Sequence, residues 1–206
     1  MNVDKLKQAE HAFFSKYPGG FEHPDLVAIG KKHKMSKMID FATDHFDKEA
    51  FENQEQLLEN LSKVVSRSSM VSLFEKPKFR DFIYELSIAE KEPFIAALYD
   101  LLHGNMRKGF EAYCKVLRDH KLAKWSLMTI LLAYYRPNKE VFVKPTTAKG
   151  VIAHFDIDEL IYKPQPSWDF YNSYRDSINT AKGKVDPSLS PSNAAFCGFL
   201  MMSLPT

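Results

Sequence analysis

The chain reads as all-α. Apolar residues recur at three- and four-residue intervals along most of its length, and segments that alternate apolar with polar are almost absent. Capping residues and glycine or proline punctuation bracket the apolar runs. Together these predict a compact, mainly helical bundle of about nine or ten helices. At 206 residues it is read as a single helical domain over 1–206, with 1–104 and 105–206 as lobes if it divides.

A first helix over 3–16 ends at the turn Tyr17-Pro18-Gly19-Gly20. A second is expected near 24–33 and a third near 35–46. Residues 51–66 set Phe51, Leu57, Leu58, Leu61, Val64 and Val65 at helical intervals. A short helix over 78–86 turns Phe79, Phe82, Ile83 and Leu86 inward. Ser87 and Glu90 have the spacing of a capping box, opening a helix that runs to about 103 and stops at Gly104. Pro93 lies beyond the first turn, where proline is comfortable, and would move that start towards Glu92.

The helix over 106–119 is two-faced. Phe110, Tyr113, Cys114 and Leu117 share one side, and Arg107, Glu111, Lys115 and Arg118 the other. The next, 122–135, is apolar nearly all round, as a central helix would be, with Trp125, Met128, Leu131, Leu132 and Tyr135 expected inside. Its small residues Ser126, Thr129 and Ala133 form a strip suited to a close neighbour. Pro137 ends it, and Val141-Phe142-Val143 is the best short strand candidate. Pro145 suits the first turn of a helix to about Phe155. Ser167 is placed to cap 168–182, which Gly183 ends, and Ser190-Pro191 to open a last helix over 191–203.

Composition narrows the class. Hydrophobic content of 45% with 26% charged residues is that of a globular protein with a real core. The two cysteines, Cys114 and Cys197, form no CxxC pair, so a reducing compartment and a cytoplasmic location are expected. The first residues lack the pattern of a signal peptide, and no apolar run approaches the roughly 20 residues that span a bilayer, so no membrane association is expected.

Catalytic and metal motifs are missing. The seven histidines stand apart, without HExxH or cysteine neighbours at zinc spacing. There is no GxSxG elbow and no phosphate-binding glycine loop, so no cofactor is expected. Both cysteines sit in apolar surroundings and read as small buried hydrophobes. Trp168, Tyr171, Tyr174 and Arg175 could line an assembled pocket, but their helical spacing reads first as core with a polar edge.

Charge is the functional signal. Residues 105–150 hold ten Lys or Arg against Glu111, Asp119 and Glu140, a net of +7 in a chain of net +2. Residues 1–104 come to −3 and 151–206 to −2. Cations converging on one face attract phosphates. The expected surface comprises Lys115, Arg118, Lys121, Lys124, Lys144 and Lys149, with Thr146 and Thr147 at the helix start after Pro145 as an anion seat. The remaining cations of the segment are Arg107, Lys108, Arg136 and Lys139. The plainer reading of such a run is a solvated face that balances acidic neighbours.

One stretch carries a family resemblance. Trp125-Ser126-Leu127-Met128-Thr129 opens an apolar helix, Arg136-Pro137 breaks it, and Val141-Phe142-Val143-Lys144-Pro145-Thr146 starts the next. Over residues 120–155 this resembles the helix-hairpin-helix DNA glycosylases. No acid stands at Pro145 or Thr146, where the family's catalytic aspartate would fall, and Asp119-His120-Lys121-Leu122 replaces its glycine-rich turn. The resemblance therefore implies a related helical scaffold that binds nucleic acid without base-excision chemistry. Three function classes follow: a DNA- or RNA-binding accessory protein, a helical scaffold or interaction module for an acidic protein partner, and an enzyme whose pocket is assembled from distant residues. Oligomeric state is not encoded in any of these features.

Overall fold

The computed structural model describes residues 1–205. Eleven α-helices run among them: α1 (Val3–Lys16), α2 (Pro24–His33), α3 (Met35–His45), α4 (Gln54–Arg67), α5 (Glu75–Glu85), α6 (Ile88–His103), α7 (Met106–Asp119), α8 (Trp125–Tyr135), α9 (Pro145–His154), α10 (Trp168–Lys182) and α11 (Asn193–Met202). Only Lys34 separates α2 from α3, in left-handed backbone at φ 47°. The fold is all-α, with no strand among the described residues.

The helix α8 is the axis of the bundle. Every residue from Trp125 to Tyr134 is buried, and Tyr135 at its end is half-buried. α3, α4 and α7 pack around it. α6 and α7 are the closest pair, and Gly109 is the reason: a Cβ there would lie 2.1 Å from the Leu101 nitrogen. Phe94 and Tyr113 stack across this pair with ring centres 5.1 Å apart. Within the second half Phe110 of α7 stacks on Tyr171 of α10 at 5.2 Å. The buried cluster runs from Leu6 to Leu200.

Most helix limits follow from the caps. Asn2 accepts from the Asp4 and Lys5 N–H groups, Asn53 from Gln56, and Asn105 from Lys108. The capping box of Ser87 and Glu90 is formed, so α6 starts ahead of Pro93 and not at Glu92. Pro93 and Ala89 are both exposed, so water can serve the Ala89 carbonyl that loses its N–H partner.

Several expectations need correction. Val141-Phe142-Val143 is not a strand. Its N–H groups go to side chains instead, Val143 to Thr129 Oγ1 at 3.0 Å and Val141 to the Tyr171 hydroxyl at 3.4 Å. α5 starts three residues early, because the Ser72 carbonyl accepts from Glu75 and Lys76 and its hydroxyl from Phe74. α11 is capped by Ser192, whose Oγ accepts from Ala195 N, and Ser190-Pro191 lies outside it. Ser167 flanks α10 without a side-chain cap bond. α8 begins at Trp125 because Leu122 closes the preceding turn.

Candidate nucleic-acid interface

The turn between α7 and α8 is a Schellman motif. The Leu122 N–H bonds the Leu117 carbonyl at 2.6 Å and the Lys121 N–H bonds that of Arg118 at 2.9 Å. Such a motif needs a left-handed residue at the position of Lys121, whose φ is 60°. Glycine is the low-cost residue there, yet the chain carries an exposed lysine.

The expected cations are exposed: Lys115 and Arg118 on α7, Lys121 in the turn, Lys124 at the start of α8, Lys144 and Lys149 about α9. Among the described residues none of the six has an acidic group at ion-pairing distance, although eleven such pairs exist elsewhere. Arg118 reaches back to the Cys114 sulfur at 3.6 Å, and the Lys149 ammonium lies 5.0 Å from the centre of the Tyr162 ring. Of the other cations of the segment three are engaged, while Lys139 is exposed and has no acidic partner among the described residues. Arg107 pairs with Glu111 and Asp169, Lys108 with Asp100, and Arg136 donates to the Leu102 carbonyl and leans on Tyr135. Thr146 is exposed, but Thr147 is buried, so its hydroxyl is not part of an open anion seat.

The segment 157–167 links the two groups of cations. The Trp125 indole donates to the Lys163 carbonyl at 2.9 Å, and the Cys114 thiol contacts the Pro166 carbonyl at 3.7 Å. Tyr162, next in the chain to Lys163, packs on Phe170, which packs on Trp125. Lys163 is thereby a further exposed cation by this surface, outside the basic segment that the sequence marks.

A second basic cluster was hidden in the acidic balance of 1–104. Lys31, Lys32, Lys34 and Lys37 surround the α2–α3 corner with no acid between them. All four are exposed, and none is ion-paired among the described residues. Lys34 repeats the feature of Lys121, a lysine in left-handed backbone.

Glu140 is the acid of the basic segment that sequence reasoning left unassigned, and it is 2% exposed. It accepts from the Tyr171 hydroxyl at 2.8 Å and from Arg175 at 3.4 Å, while Asn193 donates to its carbonyl. The Arg175 guanidinium lies over the rings of Trp168 and Tyr171. The aromatic set of α10 is therefore core with a polar edge that clamps 136–144 against α10 and α11. Burial, reinforced by the Glu140 charge, holds the Tyr171 hydroxyl protonated far above its ordinary range.

No nucleophile emerges. Burial raises the Cys114 thiol pKa and pushes that of Cys197 up to about 12. Among the described residues no cluster of His, Cys, Asp or Glu is arranged to hold a metal ion. A concavity of about 260 Å³ is lined by Leu6, Asp176, Thr180 and Lys184, between α1 and α10, and includes none of the candidate cations. Among the described residues no helix is long and apolar enough to cross a membrane. The chain matches no family model, no curated protein and no solved structure. The resemblance of residues 120–155 to the glycosylases thus rests on the sequence alone.

Proposed function

We propose that the surface formed by Lys115, Arg118, Lys121, Lys124, Lys144 and Lys149, with Thr146 beside them, binds nucleic acid as a non-catalytic accessory. One observation carries this reading: the six cations are exposed and lack acidic partners among the described residues, while Arg107 and Lys108 on the same helix α7 are paired. Lys121 adds support, since a lysine occupies a backbone position that favours glycine.

Each phosphate contact releases condensed counterions, so binding weakens steeply with salt. Six contacts correspond to a slope of log K against log salt of about −4 on single strands and about −5 on duplex. The test is fluorescence anisotropy with labelled DNA and RNA from low to physiological salt. The double variant Lys115→Glu/Arg118→Glu is expected to weaken binding to all sequences alike and to flatten the slope. No binding at low salt, or binding indifferent to the reversals, rejects the reading. A second reading, a module for an acidic protein partner, draws on the exposed Leu73, Phe74, Tyr84 and Ile88, which are 71–90% accessible.

A further inference from the structure

Two of the exposed apolar residues, Leu73 and Phe74, stand side by side on one segment. The segment 68–75 lies along α8: the Ser68 hydroxyl meets the Tyr134 hydroxyl at 2.8 Å, and the Ser126 hydroxyl donates to Glu75 at 2.7 Å. Tyr134 and Ser126 are eight residues apart, about 12 Å of helix. At the Ser68 end, Ser69 contacts His33 at 2.9 Å, which joins the segment to the lysine corner of α2 and α3. At the Glu75 end stands the start of α8 with Lys124, and beyond it the Lys121 turn. Between the two lie Leu73 and Phe74, 78% and 82% exposed. Residues 68–74 contain no acid, and Glu75, which follows, is held by Ser126.

The backbone that carries Leu73 and Phe74 is ordered by Ser72. The Phe74 N–H bonds Ser72 Oγ, and the Ser72 carbonyl accepts from the next two residues, so both side chains project from an ordered first turn. An exposed aromatic side chain on ordered backbone, between two groups of unpaired cations, matches a ligand that carries negative charge and free apolar ring faces on one backbone. A duplex offers the charge but keeps its bases stacked inside. A single strand offers both, and base–aromatic stacking is tolerant of sequence. About 12 Å holds three or four nucleotides at stacked spacing, near the lower end for one binding site.

We propose that this protein takes single-stranded nucleic acid along a path from the Lys31–Lys37 corner, across Leu73 and Phe74, to Lys124 and Lys121, with one base packed on Phe74. The proposal rests on the polyanion reading above and adds the kind of strand and its course.

The probes are a labelled 12-nucleotide DNA strand, its duplex, an abasic strand of the same length, and poly-glutamate. Phe74→Ala is expected to weaken the base-bearing strand about tenfold. It should change neither abasic-strand nor duplex binding, nor the salt slope, because no counterion is released at Phe74. Phe74→Trp should retain affinity, and its emission should be quenched by the base-bearing strand alone. Lys32→Glu/Lys34→Glu should weaken the strand and flatten its slope. Equal affinity for base-bearing and abasic strands with Phe74→Ala silent overturns the strand path. If Lys115→Glu/Arg118→Glu still weakens binding in that case, the polyanion surface stands without it. Indifference to Lys32→Glu/Lys34→Glu overturns the path in the same way. Poly-glutamate bound as tightly as the strand overturns it in favour of an acidic protein. No binding of any nucleic acid at low salt overturns both proposals.

Discussion

Lys121→Gly separates what the fold wants from what the proposed function uses. Lys121 occupies the left-handed position of the α7–α8 turn at φ 60°, where a side chain costs about 1 kcal/mol relative to glycine. Both hydrogen bonds of the motif are made by backbone, so they survive the substitution. The variant is expected to be more stable by about 1 kcal/mol, which raises Tm by about 2–4 °C in a chain of this size. The same change removes one cation from the proposed surface. Affinity for a polyanion should fall about fivefold at low salt, and the salt slope should shrink by about one. Lys121→Ala is the control: it keeps the backbone cost, so Tm stays near that of the parent while affinity falls. The assays are differential scanning fluorimetry and anisotropy on the same samples. A lower Tm in Lys121→Gly would refute the strain argument, and unchanged affinity in both variants would remove Lys121 from the surface.

Trp125→Ala should cost about 3–5 kcal/mol, because the ring is 1% exposed and contacts Phe110 and Phe170; an unchanged urea midpoint would contradict a central α8. Arg175→Met should cost about 3 kcal/mol by leaving the Glu140 carboxylate buried with Tyr171 as its remaining partner, and Glu140→Gln/Arg175→Met should recover much of it. If the double variant is as unstable as the two single losses added, the pair is not coupled. Burial lowers the His103 pKa from 6.5, with the ring held between Phe51, Tyr99 and Tyr135 and bonded to the Phe46 carbonyl. Because the folded value is the lower one, stability is fully present above about pH 6.5 and declines as pH falls from there towards the folded pKa. His103→Gln should flatten that part of the Tm profile, and identical profiles for the two proteins would refute the assignment.

The helices were legible wherever a local signal decided them. Asn2, the Ser87–Glu90 box and Pro145 mark starts that the structure keeps. The misplacements have tertiary causes. Val141-Phe142-Val143 has the composition of a strand, but its amides are claimed by Thr129 and Tyr171, which are remote in sequence. Ser192 outcompeted Ser190 because only its hydroxyl reaches a helix N–H. The six cations were legible as charge; helical periodicity accounts for the exposure of Lys115, Arg118 and Lys149, while Lys121, Lys124 and Lys144 lie in the connections. Thr147 was misjudged because one turn of helix decides whether it faces in or out. Averaging over 104 residues at net −3 hid the Lys31–Lys37 corner. Leu73 and Phe74 carry no sequence signal of their own, and nothing local reveals that the turn capped by Ser72 leaves them exposed. The burial of Glu140 depends on Arg175, 35 residues away.

In the proposed function the exposed, unpaired cations of α7, α8 and α9 hold a polyanion. The most direct measurement is the salt dependence of nucleic-acid affinity for the parent protein and for Lys115→Glu/Arg118→Glu. A steep linear loss is expected for the parent, with a slope of about −4 to −5, and weaker binding with a flatter slope for the double variant. Absence of binding at low salt, or parallel lines of equal height for the two proteins, would contradict it.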